Sequence, residues 1–158
     1  FESDTPLLVA ERSLMTDSGG PGRMRGGLGR KMVIRVPDDD FGPQPPVTVA
    51  VQAGRFRYPP HGMFGGGAGS KARFLRNREP ADPSGMTFCE RADVIEFYSA
   101  GGGGYGNPLE RDPEAVERDV ANGYVSVDRA RDDYGVVIDP DTLKVDIAAT
   151  LRLREEKG

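Results

Sequence analysis

A chain of 158 residues has the length of one domain and can bury a core, but with no Trp and 8% aromatic residues that core is modest. The net charge of −4 and an isoelectric point near 5.1 argue against a generic nucleic-acid binder. A single cysteine excludes an internal disulfide or a multi-cysteine zinc site and fits a reducing cytoplasm, and the absence of any run of about 18 apolar residues excludes a membrane-spanning helix.

The chain opens on Phe1 with no initiator Met, so either residues precede it or its first segment continues a fold begun on another chain. "PLLVAER" (6–12) is a short apolar run that predicts a strand. "KMVIRV" (31–36) is rich in β-formers and stops at Pro37. "PDDDFGPQPP" (37–46) predicts a loop, in which Asp38, Asp39 and Asp40 read as a solvated turn, without the spacing of a calcium loop. "VTVAVQA" (47–53) alternates, putting Val47, Val49 and Val51 on one face, and "ADVIEFY" (92–98) predicts a strand buried on both faces.

After residue 110 the pattern changes. "DPEAVERDVANG" predicts a helix with Asp112 as N-cap, Pro113 in its first turn and Gly123 beyond its end. "SVDRARDDYG" predicts a second, capped by Ser126 and stopped at Gly135, with a thin apolar face of Val127, Ala130 and Tyr134. "GVVIDPDTLKVD" predicts two short strands about an Asp139-Pro140-Asp141 turn, and Asp146 predicts the cap of a last helix. Strands first and helices later make an α+β fold: a single domain over 1–158, strand-rich in 1–109 and helix-rich in 110–158, whose modest core leads us to expect that a partner supplies part of its stability.

The 22 glycines are concentrated: six in 19–29, five in 62–69 and five in 101–106. Such clusters serve either turns that need positive φ or backbone that approaches something closely. Gly101, Gly103 and Gly106 have the spacing of a dinucleotide loop. That loop needs a helix opening at the glycines, whereas Asn107-Pro108 follows here and the first helix signal comes at Asp112. "GGGAGSKARF" (65–74) fails as a phosphate loop because its order is Gly69-Ser70-Lys71 rather than Gly-Lys-Ser.

His61 is the one candidate catalytic residue, as a proton shuttle or a ligand lent to a site completed by another chain, against the plainer reading of a turn residue. No Cys/His cluster supports a metal site or a bound cofactor within this chain. Cys89 reads as a small hydrophobe, with no general base placed to make it a nucleophile. Arg55, Arg57, Lys71, Arg73, Arg76 and Arg78 occur with Phe56, Tyr58 and Phe74 and without an acid over 55–78. That pattern suits docking on an acidic surface and, as the rival reading, a single-stranded nucleic-acid platform.

Three stretches, "LMTDSGGPGRMRGGLGRKMVIRV" (14–36), "GMFGGGAG" (62–69) and "GGGGYGNPLERDPEAVERDVANGYVSVDRARDDYGVVID" (101–139), together resemble the C-terminal portion of the hydantoinase B/oxoprolinase family. The resemblance runs from about residue 5 to 153. It implies a hetero-oligomeric, ATP-dependent system in which a larger hydantoinase A-like subunit binds ATP with a divalent metal and a larger B-like subunit completes the site. The family's metal-binding His and Asp residues are implied in the larger N-terminal portion, so no position here inherits them.

The leading implication is a small subunit of an acetophenone or acetone carboxylase-type ligase, carboxylating a ketone through phosphorylated intermediates, with this chain in a structural and interface role. The alternatives are a C-terminal piece of an ATP-dependent hydantoinase or 5-oxoprolinase, a nucleic-acid-binding module using 55–78, a dinucleotide enzyme and a self-sufficient structural domain. Under the leading reading the chain is inactive alone, cytoplasmic, and engages neither nucleic acid nor membrane.

Overall fold

The computed structural model describes residues 7–38 and 47–157, so the expectations for Asp39 and Asp40 and for residues 1–6 lie outside the described residues. Among the described residues seven strands precede three α-helices, as the α+β expectation required. Five strands form an antiparallel sheet: β1 (Leu8–Leu14), β2 (Arg30–Arg35), β4 (Arg73–Arg76), β5 (Glu79–Pro80) and β7 (Val94–Tyr98), ordered β1-β2-β7-β4-β5. A separate pair joins β3 (Val47–Ala50) to β6 (Met86–Cys89).

Register explains the sheet's two faces, because cross-strand partners point the same way. Ile34 lies opposite Ile95, and Phe97 lies between Met32 and Phe74, giving one apolar face. Ile34, Phe74 and Ile95 are buried there, and Val49, Val51 and Cys89 of the β3–β6 side pack against them. The alternation expected for Val47, Val49 and Val51 is present. On the other face Tyr98 lies between Lys31 and Arg73, and both cations sit over its ring, at 5.9 Å and 4.3 Å.

β1 starts two residues later than its apolar run, and a register shift between Val9 and Glu11 bends it. β4 is not visible in "RFLR", whose two apolar residues are flanked by arginines; it is a strand because the edge of β7 supplies its ladder. The expected hairpin over 136–146 is reduced to one bridge, Ile138 with Val145. The Asp139 carboxylate accepts the N–H groups of Asp141 and Thr142, which closes a turn and removes those donors from a ladder.

The helices follow their caps. In α1 (Pro113–Ala121) the Asp112 side chain accepts from Glu114 N–H with Pro113 in the first turn. In α2 (Val127–Tyr134) Ser126 accepts from Arg129 N–H, and Gly135 ends the helix in the left-handed conformation at φ 61°. In α3 (Ile147–Lys157) the Asp146 carboxylate accepts from Ala149 N–H, and Lys157 donates to the carbonyls of Arg131 and Asp132 at the end of α2. Val116, Val120, Ala130, Tyr134, Val136 and Ile138 form a second core, each large apolar side chain contributing roughly 1.5–3 kcal/mol. Burial pushes the Tyr134 phenol up to about 12, so it stays neutral.

The three glycine-rich segments do not end separate hairpins. They lie against one another and hydrogen-bond backbone to backbone. Residues 101–106 form the central strip: Gly20 N–H donates to Gly102 C=O at 2.8 Å, Gly102 N–H to Gly27 C=O at 2.8 Å, and Gly104 N–H to Gly67 C=O at 2.9 Å. Gly67 N–H closes the ring of segments on Pro21 C=O at 2.7 Å. A Cβ on Gly101 would land on the Ser18 carbonyl, one on Gly103 on that of His61, and one on Gly104 on that of Pro21. Close approach, and not positive φ, is what these positions require.

Two predictions follow from this packing. Gly104→Ala is expected to lower the unfolding free energy by about 3 kcal/mol through overpacking, read by denaturant titration. Gly27→Ala, whose Cβ meets nothing within 4 Å, is expected to be neutral or stabilising by up to about 1 kcal/mol; equal losses at both positions would contradict the packing argument. Burial acts to raise the Asp93 carboxyl, but hydrogen bonds from Glu90 N–H, Arg76 and Asn77 outweigh it and hold its pKa below the ordinary value. Its stabilisation is therefore complete above the unfolded value of about 4 and is lost as pH falls through the lower folded value. Asp93→Asn is expected to flatten the acid limb of stability against pH, and an unchanged limb would refute the assignment.

Candidate subunit interface

The glycine layer turns most of its amides inward, which is unlike a nucleotide cradle. A phosphate loop works because its N–H groups point at the ligand. Here those of Gly101, Gly102, Gly104, Tyr105 and Gly106 donate to other segments, as do those of Gly67 and Ser70, while Gly69 N–H donates to Pro60 within its own stretch. Asn107 then caps a short 3-10 helix, Pro108–Glu110, and α1 begins only at Pro113. Both glycine motifs are structural.

His61 is exposed at the edge of this layer, where its carbonyl faces Gly103. Among the described residues no group of three or more His, Cys, Asp or Glu side chains is placed to hold a metal ion. Cys89 is half-buried and its Sγ donates to Thr87 C=O at 3.7 Å. Burial, reinforced by nearby Asp93, raises its pKa despite Arg76, which favours the thiol form.

The basic segment is divided by the fold. Arg55, Arg57, Lys71, Arg73 and Arg78 are exposed, whereas Arg76 pairs with Asp93. The aromatics do not make a stacking platform: Phe74 is buried and Phe56 meets Phe97 edge-on, with centroids 6.4 Å apart. Tyr58 alone of the three is exposed. Lys71 and Arg73 share an open cavity of about 360 Å³ with Asp17, Ser18 and Tyr98.

One arrangement has no obvious sequence signal. Asp119 of α1 is buried and receives two arginines from outside its helix. Arg25 of the first glycine segment donates from Nε to Oδ2 at 3.0 Å and from a terminal nitrogen to Oδ1 at 3.3 Å. Arg111 donates to Oδ2 at 2.9 Å and to the Arg23 carbonyl at 2.9 Å. The carbonyl of Asp119 also accepts from Tyr124 and Val125 N–H. This clamp fastens the helices to the glycine layer, aided by Asp17, which takes left-handed backbone at φ 60° and accepts from Ser126 N–H. Its clue is only an acid at i+3 from Val116, on the edge of an amphipathic face.

At the far edge of the layer the backbone presents a row of side chains. Met24 and Met63 both bridge to Tyr105, and Phe64 packs on the Tyr105 ring at 5.1 Å. All four are exposed. Most amides of the glycine layer are engaged within it and its edge is apolar, which makes that edge a candidate surface for protein contact.

The hydantoinase B/oxoprolinase family model matches residues 1–108. The caprolactamase β subunit of Pseudomonas jessenii is 34% identical over 95% of this chain and 26% of its own length. The acetophenone carboxylase δ subunit of Aromatoleum aromaticum is 30% identical over 97% of this chain and 27% of its own. In the crystal structure of the ATP-dependent caprolactamase from P. jessenii, a chain superposes with a TM-score of 0.76 at 32% identity, over 98% of this chain and 27% of that one. The chain belongs to the hydantoinase B/oxoprolinase family. It spans about a quarter of the length of the relatives it matches.

Removing the clamp tests the geometry. Asp119→Ala is expected to cost about 3–5 kcal/mol, because two half-buried guanidinium groups lose their counter-charge. In a double-mutant cycle with Arg25→Met, the coupling energy should exceed about 1 kcal/mol; additive losses would remove the clamp from the account.

Proposed function

We propose that this chain supplies the glycine-locked block of a B-type component in an ATP-dependent, multi-subunit enzyme that opens cyclic amides. The observation that carries this reading is the agreement with a caprolactamase subunit in both sequence and fold, across nearly the whole chain. In this reading the chain holds and closes the catalytic parts, and the chemistry takes place on other portions of the assembly. ATP with its divalent metal is bound by a larger A-like subunit. An opened ring keeps its amine and carboxylate on one molecule, which favours re-closure, so coupling to ATP supplies driving force that hydrolysis alone lacks. The exposed basic groups, Arg55, Arg57, Lys71, Arg73 and Arg78, suit docking on acidic partner surfaces. His61, exposed at the edge of the layer, is the one residue here offered to a shared site.

A second reading, ATP-dependent carboxylation of an aromatic or aliphatic ketone, is supported by the similarity to an acetophenone carboxylase subunit over 97% of the chain. That subunit is itself several times longer than this chain.

The assembly purified from its source, assayed on caprolactam and hydantoin with and without ATP, separates the two. Ring opening that needs ATP and the complete assembly is expected, with none from this chain alone. Ketone-dependent fixation of labelled bicarbonate without ring opening selects the second reading. Turnover by the isolated chain overturns both.

A further inference from the structure

The geometry points to a specific seam: the apolar edge formed by Met24, Met63, Phe64 and Tyr105 is where this block seats on the remaining body of the B-type fold. This rests on the proposed B-type role and adds the surface through which it acts. Met24, Met63 and Phe64 expose 63%, 59% and 74% of their surface, and Tyr105 44%. They are one patch, since the two methionines bridge to Tyr105 from either side and Phe64 lies on its ring. Contiguous exposed Met, Phe and Tyr without a charge among them is the composition of an interface centre.

The backbone is shaped to present it. Phe64 has φ 51°, a left-handed conformation that L side chains with bulk take at a cost of about 1–3 kcal/mol. Met63 N–H donates to Gly104 C=O and Gly106 N–H to Met63 C=O, both at 2.9 Å, so the layer beneath is rigid. An aromatic ring held outward in a strained conformation on a stiff base gains its return only when something covers it.

The occupant follows from length. In the relatives this block is 26–27% of one polypeptide, so roughly three quarters of a B-type chain remains to pack against it. The patch lies wholly inside residues 1–108, the part that matches the family model. Whether the body belongs to the same polypeptide or to another, the seam is the same. Permanent contacts of this kind are more apolar than transient ones, which distinguishes this edge from the basic surface around Arg57 and Lys71.

The test is photo-crosslinking in the complete assembly, with benzoylphenylalanine replacing Phe64 and, as a control, Leu151. The probe at Phe64 is expected to attach to peptides of the B-type body, and the control is not. With the probe moved to Tyr105, Phe64→Asp is expected to abolish the attachment and Phe64→Leu to retain it; Phe64 is exposed enough for either variant to fold. Attachment from Phe64 to the ATP-binding subunit or to a second copy of this chain, or no attachment in an assembly that contains a B-type body, overturns the seam and leaves the functional reading standing. An assembly with no B-type body overturns both.

Discussion

Three strips of main chain lie so close that no side chain fits between them, and the rest of the molecule is arranged around that contact. Ser18, Pro21, His61 and Gly102 place carbonyls where a Cβ of the opposing segment would otherwise stand. Each approach is secured by amide hydrogen bonds between segments far apart in sequence. Such a layer is stiff and uses its polar groups internally, so it suits holding things in place and is unsuited to gripping a phosphate.

The described residues also form two hydrophobic cores. One belongs to the sheet and centres on Ile34, Phe74 and Ile95; the other belongs to the helices and centres on Val116, Tyr134 and Val136. The helices reach the layer through a charged clamp, Arg25 and Arg111 on Asp119, with Arg154 tying α3 to the carbonyls of Tyr134 and Arg111. A buried ion pair adds little net stability compared with apolar packing, but it accepts only one geometry. The orientation of the helices against the glycine layer is therefore set by polar contacts, and the apolar surface is left for the two cores and the outward edge at Phe64 and Tyr105.

Several elements were legible in the residues because their causes are local. Asp112, Ser126 and Asp146 cap helices with side chains that reach only two or three residues along, and Gly135 stops a helix by its own left-handed backbone. The strands containing Ile34 and Ile95 carry the β-branched density that pleated pairing favours. β4 was not legible, since "RFLR" becomes a strand only beside β7. Nor was the clamp: one of the two arginines on Asp119 stands 94 residues away, at Arg25. The exclusion of a dinucleotide site was readable from Asn107-Pro108, while its deeper cause, amides already engaged by other segments, needed the three clusters to be brought together.

The residues alone determined the α+β order, the helix ends and the presence of three glycine-rich stretches, and with them the family resemblance, because composition, caps and short-range periodicity act within a few residues. Tertiary structure decided what the glycines are for, which acid pairs with which arginine, and which apolar side chains stay outside. Those outcomes depend on contacts between segments tens of residues apart, and no local preference of the chain contains them.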